Sequence, residues 1–130
     1  MISTRLYRVI LPVADIDAAT KFYAHILGEL GDRVSPGSHY FNCGGVILAC
    51  YSPSADGDDS GDGWLFHENH YLYFAVEDLE AVRLKVAEAG GKTLSEIETM
   101  PWGETLFYAA DPLGSRICFT RADTMFTGSS

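Results

Sequence analysis

Cations are scarce in this chain: nine Lys and Arg stand against 18 Asp and Glu in 130 residues, a net charge of −9. A surface with that excess repels phosphates, which argues against nucleic acid and anionic membranes as partners. Long apolar runs are also missing, and none approaches the roughly 20 residues that span a bilayer. Cysteine is limited to Cys43, Cys50 and Cys118, with no CxxC pair. An odd, widely spaced set gives no disulfide framework, so reduced thiols and a cytoplasmic location are expected. Met1–Arg8 carries charges where the apolar part of a signal peptide would begin. There is no GxSxG, no P-loop and no GxGxxG, so the motif-borne hydrolase and nucleotide chemistries are excluded.

What is present is an ordinary globular composition, 47% hydrophobic and 21% charged, of a length that suits one domain with a real core. Aromatics make up 12%, which suits strands and an aromatic-lined cavity. The chain also repeats itself. Val13-Ala-Asp-Ile-Asp-Ala18 and Val76-Glu-Asp-Leu-Glu-Ala81 match at an offset of 63 residues, the step from Val13 to Val76. Each ends an apolar run and opens an amphipathic one, so two similar modules are expected.

Leu6–Val13 reads as a strand, and Asp15 or Asp17 as the cap of a helix whose stripe is Ile16, Phe22, Tyr23, Ile26 and Leu27. Gly28 is a natural stop. A short strand near Arg33-Val34 precedes two more, His39–Cys43 and Val46–Tyr51, joined by Gly44-Gly45. Residues 53–68 contain Pro53, five Gly or Ser and four Asp, and read as an acidic surface linker with little to bury. The second module restarts at Tyr71–Val76 and continues with a helix capped by Asp78, its face formed by Leu79, Val82, Val86 and Ala89. A strand over 92–99 and a final pair, 103–110 and 116–121, follow, the pair joined by Asp111-Pro-Leu-Gly114. The order β-α-β-β-β, twice, defines an α+β chain: module one at about 5–52, module two at about 69–121, and a tail at 122–130. Two four-stranded sheets of this kind can curve together around a shared cleft.

Val13-Ala-Asp-Ile-Asp with Phe22-Tyr-Ala-His-Ile-Leu-Gly28, and Phe74-Ala-Val-Glu-Asp-Leu with Tyr108-Ala-Ala-Asp-Pro-Leu-Gly-Ser-Arg-Ile117, resemble the vicinal oxygen chelate superfamily. That superfamily includes glyoxalase I, bleomycin-resistance proteins and extradiol dioxygenases. The resemblance frames residues 5–121. It implies paired βαβββ modules in an eight-stranded open barrel around a central cleft, and often a homodimer. It also implies His, Gln or Glu metal ligands on the first and last strands of each module. Carried onto this chain, those sites fall at Arg8, at Tyr71 by the 63-residue offset, at Cys118, and at Leu48, Ala49 or Cys50. The match of Cys50-Tyr-Ser to Cys118-Phe-Thr favours Cys50.

Arg has no lone pair for a metal and Tyr is an uncommon ligand with a pKa near 10, so the expected imidazole–carboxylate set is absent. No cofactor is expected from this inventory. A divalent ion stays open through Cys50 with Cys118, or through His39, His67 or His70. His25 reads as a surface or packing residue. Asp56-Gly-Asp-Asp-Ser-Gly-Asp62 loosely matches a calcium loop but places His67 where a bidentate Glu belongs. Arg8 reads either as half of a buried pair with Glu104 or another carboxylate, or as the anion clamp of a ligand site. Trp102 offers a stacking face or a cover for the core, and Glu104 a general base if desolvated. Tyr40, Tyr71, Tyr73 and Tyr108 divide between lining and packing. A Cys–His pair formed in space stays open. The expected ligand-binding set is therefore Arg8, Cys50, Tyr71, Tyr73, Trp102 and Cys118. The expected function is metal-independent binding of an aromatic or anionic small molecule, as in bleomycin-resistance proteins. The alternatives are a glyoxalase-like lyase, isomerase or dioxygenase with a non-standard ligand set, and a non-catalytic partner subunit.

Overall fold

The computed structural model describes residues 4–58 and 70–127, which fall into two compact units, Met1–Phe66 and His67–Ser130. The fold is α+β, with one helix and one sheet in each unit.

In the first unit β1 (Arg8–Pro12) leads into α1 (Ile16–Leu27). Asp15 is the cap, its carboxylate accepting from the Ala18 N–H at 3.1 Å, an arrangement worth about 1 kcal/mol. Ala19, Phe22, Tyr23 and Ile26 then share the buried stripe, and Gly28 ends the helix at φ 68°, the left-handed conformation that only glycine adopts cheaply. The strands β2 (Asp32–Ser35), β3 (Ser38–Cys43) and β4 (Val46–Tyr51) complete a sheet of order β1-β4-β3-β2, with β1 parallel to β4. The side chains of one sheet face, among them Leu11, Phe41, Leu48 and Cys50, are buried. Arg8, Ile10, Tyr40 and Asn42 alternate onto the other face.

The acidic stretch does not begin as a linker. Ser52 and Pro53 are buried, and Pro53–Asp56 forms a 3-10 turn. The Asp56 carboxylate accepts from the Gly37 N–H at 2.6 Å and from the Ser35 hydroxyl at 2.8 Å. Gly37 is required by contact rather than by backbone angle, since an added Cβ would lie 2.3 Å from the Ser52 carbonyl. Composition hid this because a carboxylate in a Gly-rich run looks solvated until its backbone partner is known. Residues 59–69, including His67, lie outside the described residues.

The second unit repeats the plan: β5 (Tyr71–Val76), α2 (Leu79–Glu88) capped by Asp78 onto Ala81 N–H, then β6 (Lys92–Thr93), β7 (Glu98–Thr99), β8 (Thr105–Ala110) and β9 (Arg116–Arg121). The single strand expected over 92–99 is two short ones, both paired to β8, so the described residues hold nine strands in sheets of four and five. Ser95 explains the break, because its hydroxyl accepts the Tyr108 N–H at 2.9 Å in place of a ladder bond. Phe74, Phe107 and Phe119 stack through centroid distances of 5.6 and 5.4 Å on the face that carries buried Ala109 and Ile117. Tyr71, Tyr73, Tyr108, Arg116 and Cys118 share the opposite face.

Candidate functional site

In a parallel or antiparallel ladder, residues in register share a face, so strand pairing decides which candidates meet. In the second unit Tyr73, Cys118 and Tyr108 form one row across β5, β9 and β8. Tyr71 and Arg116 form the next row. In the first unit the equivalent rows are Ile10, Ala49 and Tyr40, then Arg8 and Ile47.

The pairing corrects one site residue. Cys118 pairs with Tyr73, whose repeat mate at the 63-residue offset is Ile10, and Ile10 pairs with Ala49. The first-unit equivalent of Cys118 is therefore Ala49 and not Cys50. Cys50 pairs with Leu11 and His39 on the opposite face and is fully buried. A one-residue slip in register carries a side chain to the other side of the sheet, and the Cys-Tyr-Ser/Cys-Phe-Thr match was one residue out.

Arg8 also departs from expectation. It begins an edge strand and is exposed, so its charge pays no burial cost and needs no carboxylate. It takes part in none of the ion pairs among the described residues, which are Arg33–Asp17, Arg83–Glu96 and Arg121–Asp123. Its guanidinium donates to the Tyr40 hydroxyl at 2.7 Å and lies 5.3 Å from the Tyr40 ring centroid and 5.4 Å from that of Tyr7. These contacts restrain the side chain, and no carboxylate among the described residues pairs with it. The same diagonal recurs in the second unit, where Tyr71 meets Tyr108 edge to face at 5.7 Å. Arg8 with Tyr40 and Tyr71 with Tyr108 are thus repeat-related couples.

The Tyr73 hydroxyl is hydrogen-bonded to Tyr108, which pushes its pKa well above the ordinary phenol value, with burial and the nearby Cys118, Tyr108 and Glu104 adding to the effect. Burial pushes the Cys118 thiol up to about 11, against a lowering hydrogen bond from Thr120. Both groups are held in their protonated forms.

Trp102 stands apart from this cluster, in the turn before β8, and its 62% exposure rules out a role in covering the core. Its indole N–H donates to Glu104 at 2.8 Å, and the second Glu104 oxygen accepts the Phe126 N–H at 3.4 Å. Glu104 is half-buried and both of its oxygens have donors, a poor setting for a desolvated base.

The described histidines, His25, His39 and His70, do not assemble a metal site. His39 accepts from the Arg33 Nε–H at 3.2 Å through Nδ1, which leaves Nε2 protonated and donating to the Leu30 carbonyl at 2.8 Å. Register sets His39 beside Cys50, yet both ring nitrogens are committed elsewhere, so the pair lacks a base. His25 and His70 are exposed. Asp56 and Asp58, at the start of the calcium-like run, bind Gly37 with Ser35 and the Tyr51 hydroxyl respectively. No group of three or more His, Cys, Asp or Glu is placed to hold an ion among the described residues.

A profile of the Glyoxalase/Bleomycin resistance protein/Dioxygenase superfamily matches residues 5–119, and the chain belongs to that superfamily. Among solved structures it is similar to a glyoxalase-related enzyme from Fulvimarina pelagi, at TM-score 0.75 and 19% identity over 97% of this chain and 99% of that one. It is also similar to a glyoxalase/bleomycin resistance protein/dioxygenase family enzyme from Burkholderia phytofirmans PsJN, at TM-score 0.73 and 16% identity, covering 92% and 99%. Lactoylglutathione lyase from Agrobacterium tumefaciens follows at 0.70 and 17%, covering 91% and 93%. At such identities the likeness concerns the fold alone. No curated protein matches the sequence.

The metal sites implied by the superfamily fall here on Arg8, Ala49, Tyr71 and Cys118. Arg and Ala offer no donor, and the Tyr71 phenol and protonated Cys118 thiol make a weak remainder on one unit. These residues do not fit a metal. Among the described residues no helix is long and apolar enough to cross a membrane.

Proposed function

We propose that this protein binds a small anionic aromatic molecule directly, without a metal, in the manner of the bleomycin-resistance members of its superfamily. The observation that carries the reading is Arg8. At a position where metal-dependent relatives hold a ligand, this chain presents a guanidinium restrained by Tyr40 and paired with no carboxylate among the described residues. Such a group is arranged to meet a carboxylate, sulfonate or enolate oxygen, and a ring on the ligand meets the Tyr7 and Tyr40 faces.

Equilibrium dialysis with 2-naphthoate tests this. The wild-type protein binds it in the presence of EDTA, and Arg8→Ala weakens binding about tenfold, the loss of one well-placed charged contact. Unchanged affinity in Arg8→Ala removes the clamp. Binding that appears only after zinc or nickel is added supports the lyase, isomerase or dioxygenase alternative.

A further inference from the structure

The second unit carries a cationic row that the first lacks. On the face of Tyr71 and Tyr73, the residues in register across β5, β9, β8 and β6 are Tyr71, Arg116, Ala110 and Lys92. The first-unit equivalents of Arg116 and Ala110 are Ile47 and Asn42, so the row is not a by-product of the repeat. Arg116 and Lys92 belong to none of the ion pairs among the described residues, although acids outnumber bases two to one in the chain. Among the described residues the Arg116 guanidinium makes one long hydrogen bond, 3.4 Å to the Tyr71 hydroxyl. One strand, β8, lies between Arg116 and Lys92, two strand spacings or about 10 Å between backbones, and it contributes only the small Ala110 side chain between them. The adjoining row supplies aromatic faces, with Tyr71 5.7 Å from Tyr108 and 6.5 Å from Tyr73. At the far end of β8 lies Glu104, whose field reaches both Tyr73 and Cys118.

We infer that this face binds an aromatic carboxylate whose anionic end lies between Arg116 and Lys92 and whose ring rests on Tyr71 and Tyr73. Charge complementarity fixes the direction: cations hold the carboxylate at the Ala110 end, and Glu104 repels it from the other. The site rests on the reading of the chain as a binder of anionic aromatics, but it uses residues of the second unit alone.

The test is calorimetric titration of 2-naphthoate and its neutral isostere 2-naphthamide into wild type, Arg116→Gln, Lys92→Gln and the double variant, each also in the Arg8→Ala background. Each single substitution weakens naphthoate binding about fivefold to tenfold and leaves naphthamide unchanged, and the effect persists when Arg8 is absent. Lys92 is exposed and its replacement does not threaten folding, so it keeps the test decisive if Arg116→Gln is unstable. Naphthamide binding as tightly as naphthoate overturns the proposal, as does wild-type affinity in the double variant. Loss of binding in Arg8→Ala with no effect from Arg116 or Lys92 overturns this site while leaving the Arg8 reading intact.

Discussion

The ionisation of Cys118 gives a sharp expectation about the chemistry of this chain. Its thiol is fully buried and pushed up to about 11 from an ordinary value near 9.0, chiefly by burial. At pH 8 an ordinary thiol is ionised about once in eleven molecules, and this one about once in a thousand. Because the thiolate is the nucleophile, ionisation alone slows alkylation about ninetyfold, before steric protection is counted. Iodoacetamide at pH 8, followed by peptide mass spectrometry, should label half-exposed Cys43 first and leave Cys118 unmodified until the protein is unfolded. The same displacement has a stability consequence. Between about pH 9 and 11 the unfolded chain loses the Cys118 proton and the folded chain keeps it, so stability falls with rising pH in that window. Native Cys118 alkylating within tenfold of a free thiol would refute the reasoning, and it would return Cys118 to the list of credible metal ligands.

Three further outcomes follow from the packing. Asp56→Ala removes a charged acceptor from the Gly37 N–H and the Ser35 hydroxyl in a half-buried setting. It should cost about 2 kcal/mol in urea denaturation, against under about 0.5 for a solvated loop residue. Gly31→Ala places a Cβ 2.6 Å from the Tyr40 carbonyl and 2.7 Å from the Phe41 ring at φ +66°, so a loss of about 2–4 kcal/mol and a lower melting temperature are expected. Tyr40→Phe keeps the ring under Arg8 but removes its hydrogen bond; naphthoate affinity should fall about twofold to fivefold, with stability changed by less than about 1 kcal/mol.

Much of the fold could be read from the repeated Val-x-Asp element because it encodes local physics. Asp15 and Asp78 each cap a helix, and the alternation before them makes each first strand. The module order and the α+β class followed. What the sequence concealed was pairing. Cys50 and Ala49 differ by one position, and only the β1–β4 register decides which faces Arg8's side of the sheet. One reading of Arg8 was half of a buried pair, because its flanks are apolar, yet β1 is an edge of its sheet and the charge is exposed. The Arg116 row was within reach of sequence reasoning. The Asp111–Ser115 turn makes Ala110 and Arg116 partners, and Asp111 secures it by accepting from Leu113 and Ser115 N–H groups at 2.9 Å. The break at Ser95 and the anchoring of Asp56 were beyond it, since both depend on hydrogen bonds between segments distant in sequence.

The central proposal is that this chain binds an anionic aromatic molecule directly, with Arg8 standing where metal-dependent members of the superfamily hold a ligand. Its most direct test is naphthoate binding by protein expressed in metal-replete medium, measured before and after exhaustive chelation alongside elemental analysis. The expected result is identical affinity in both states and far less than one metal ion per chain. One tightly held ion per chain, with binding lost on its removal and restored on its return, would contradict it.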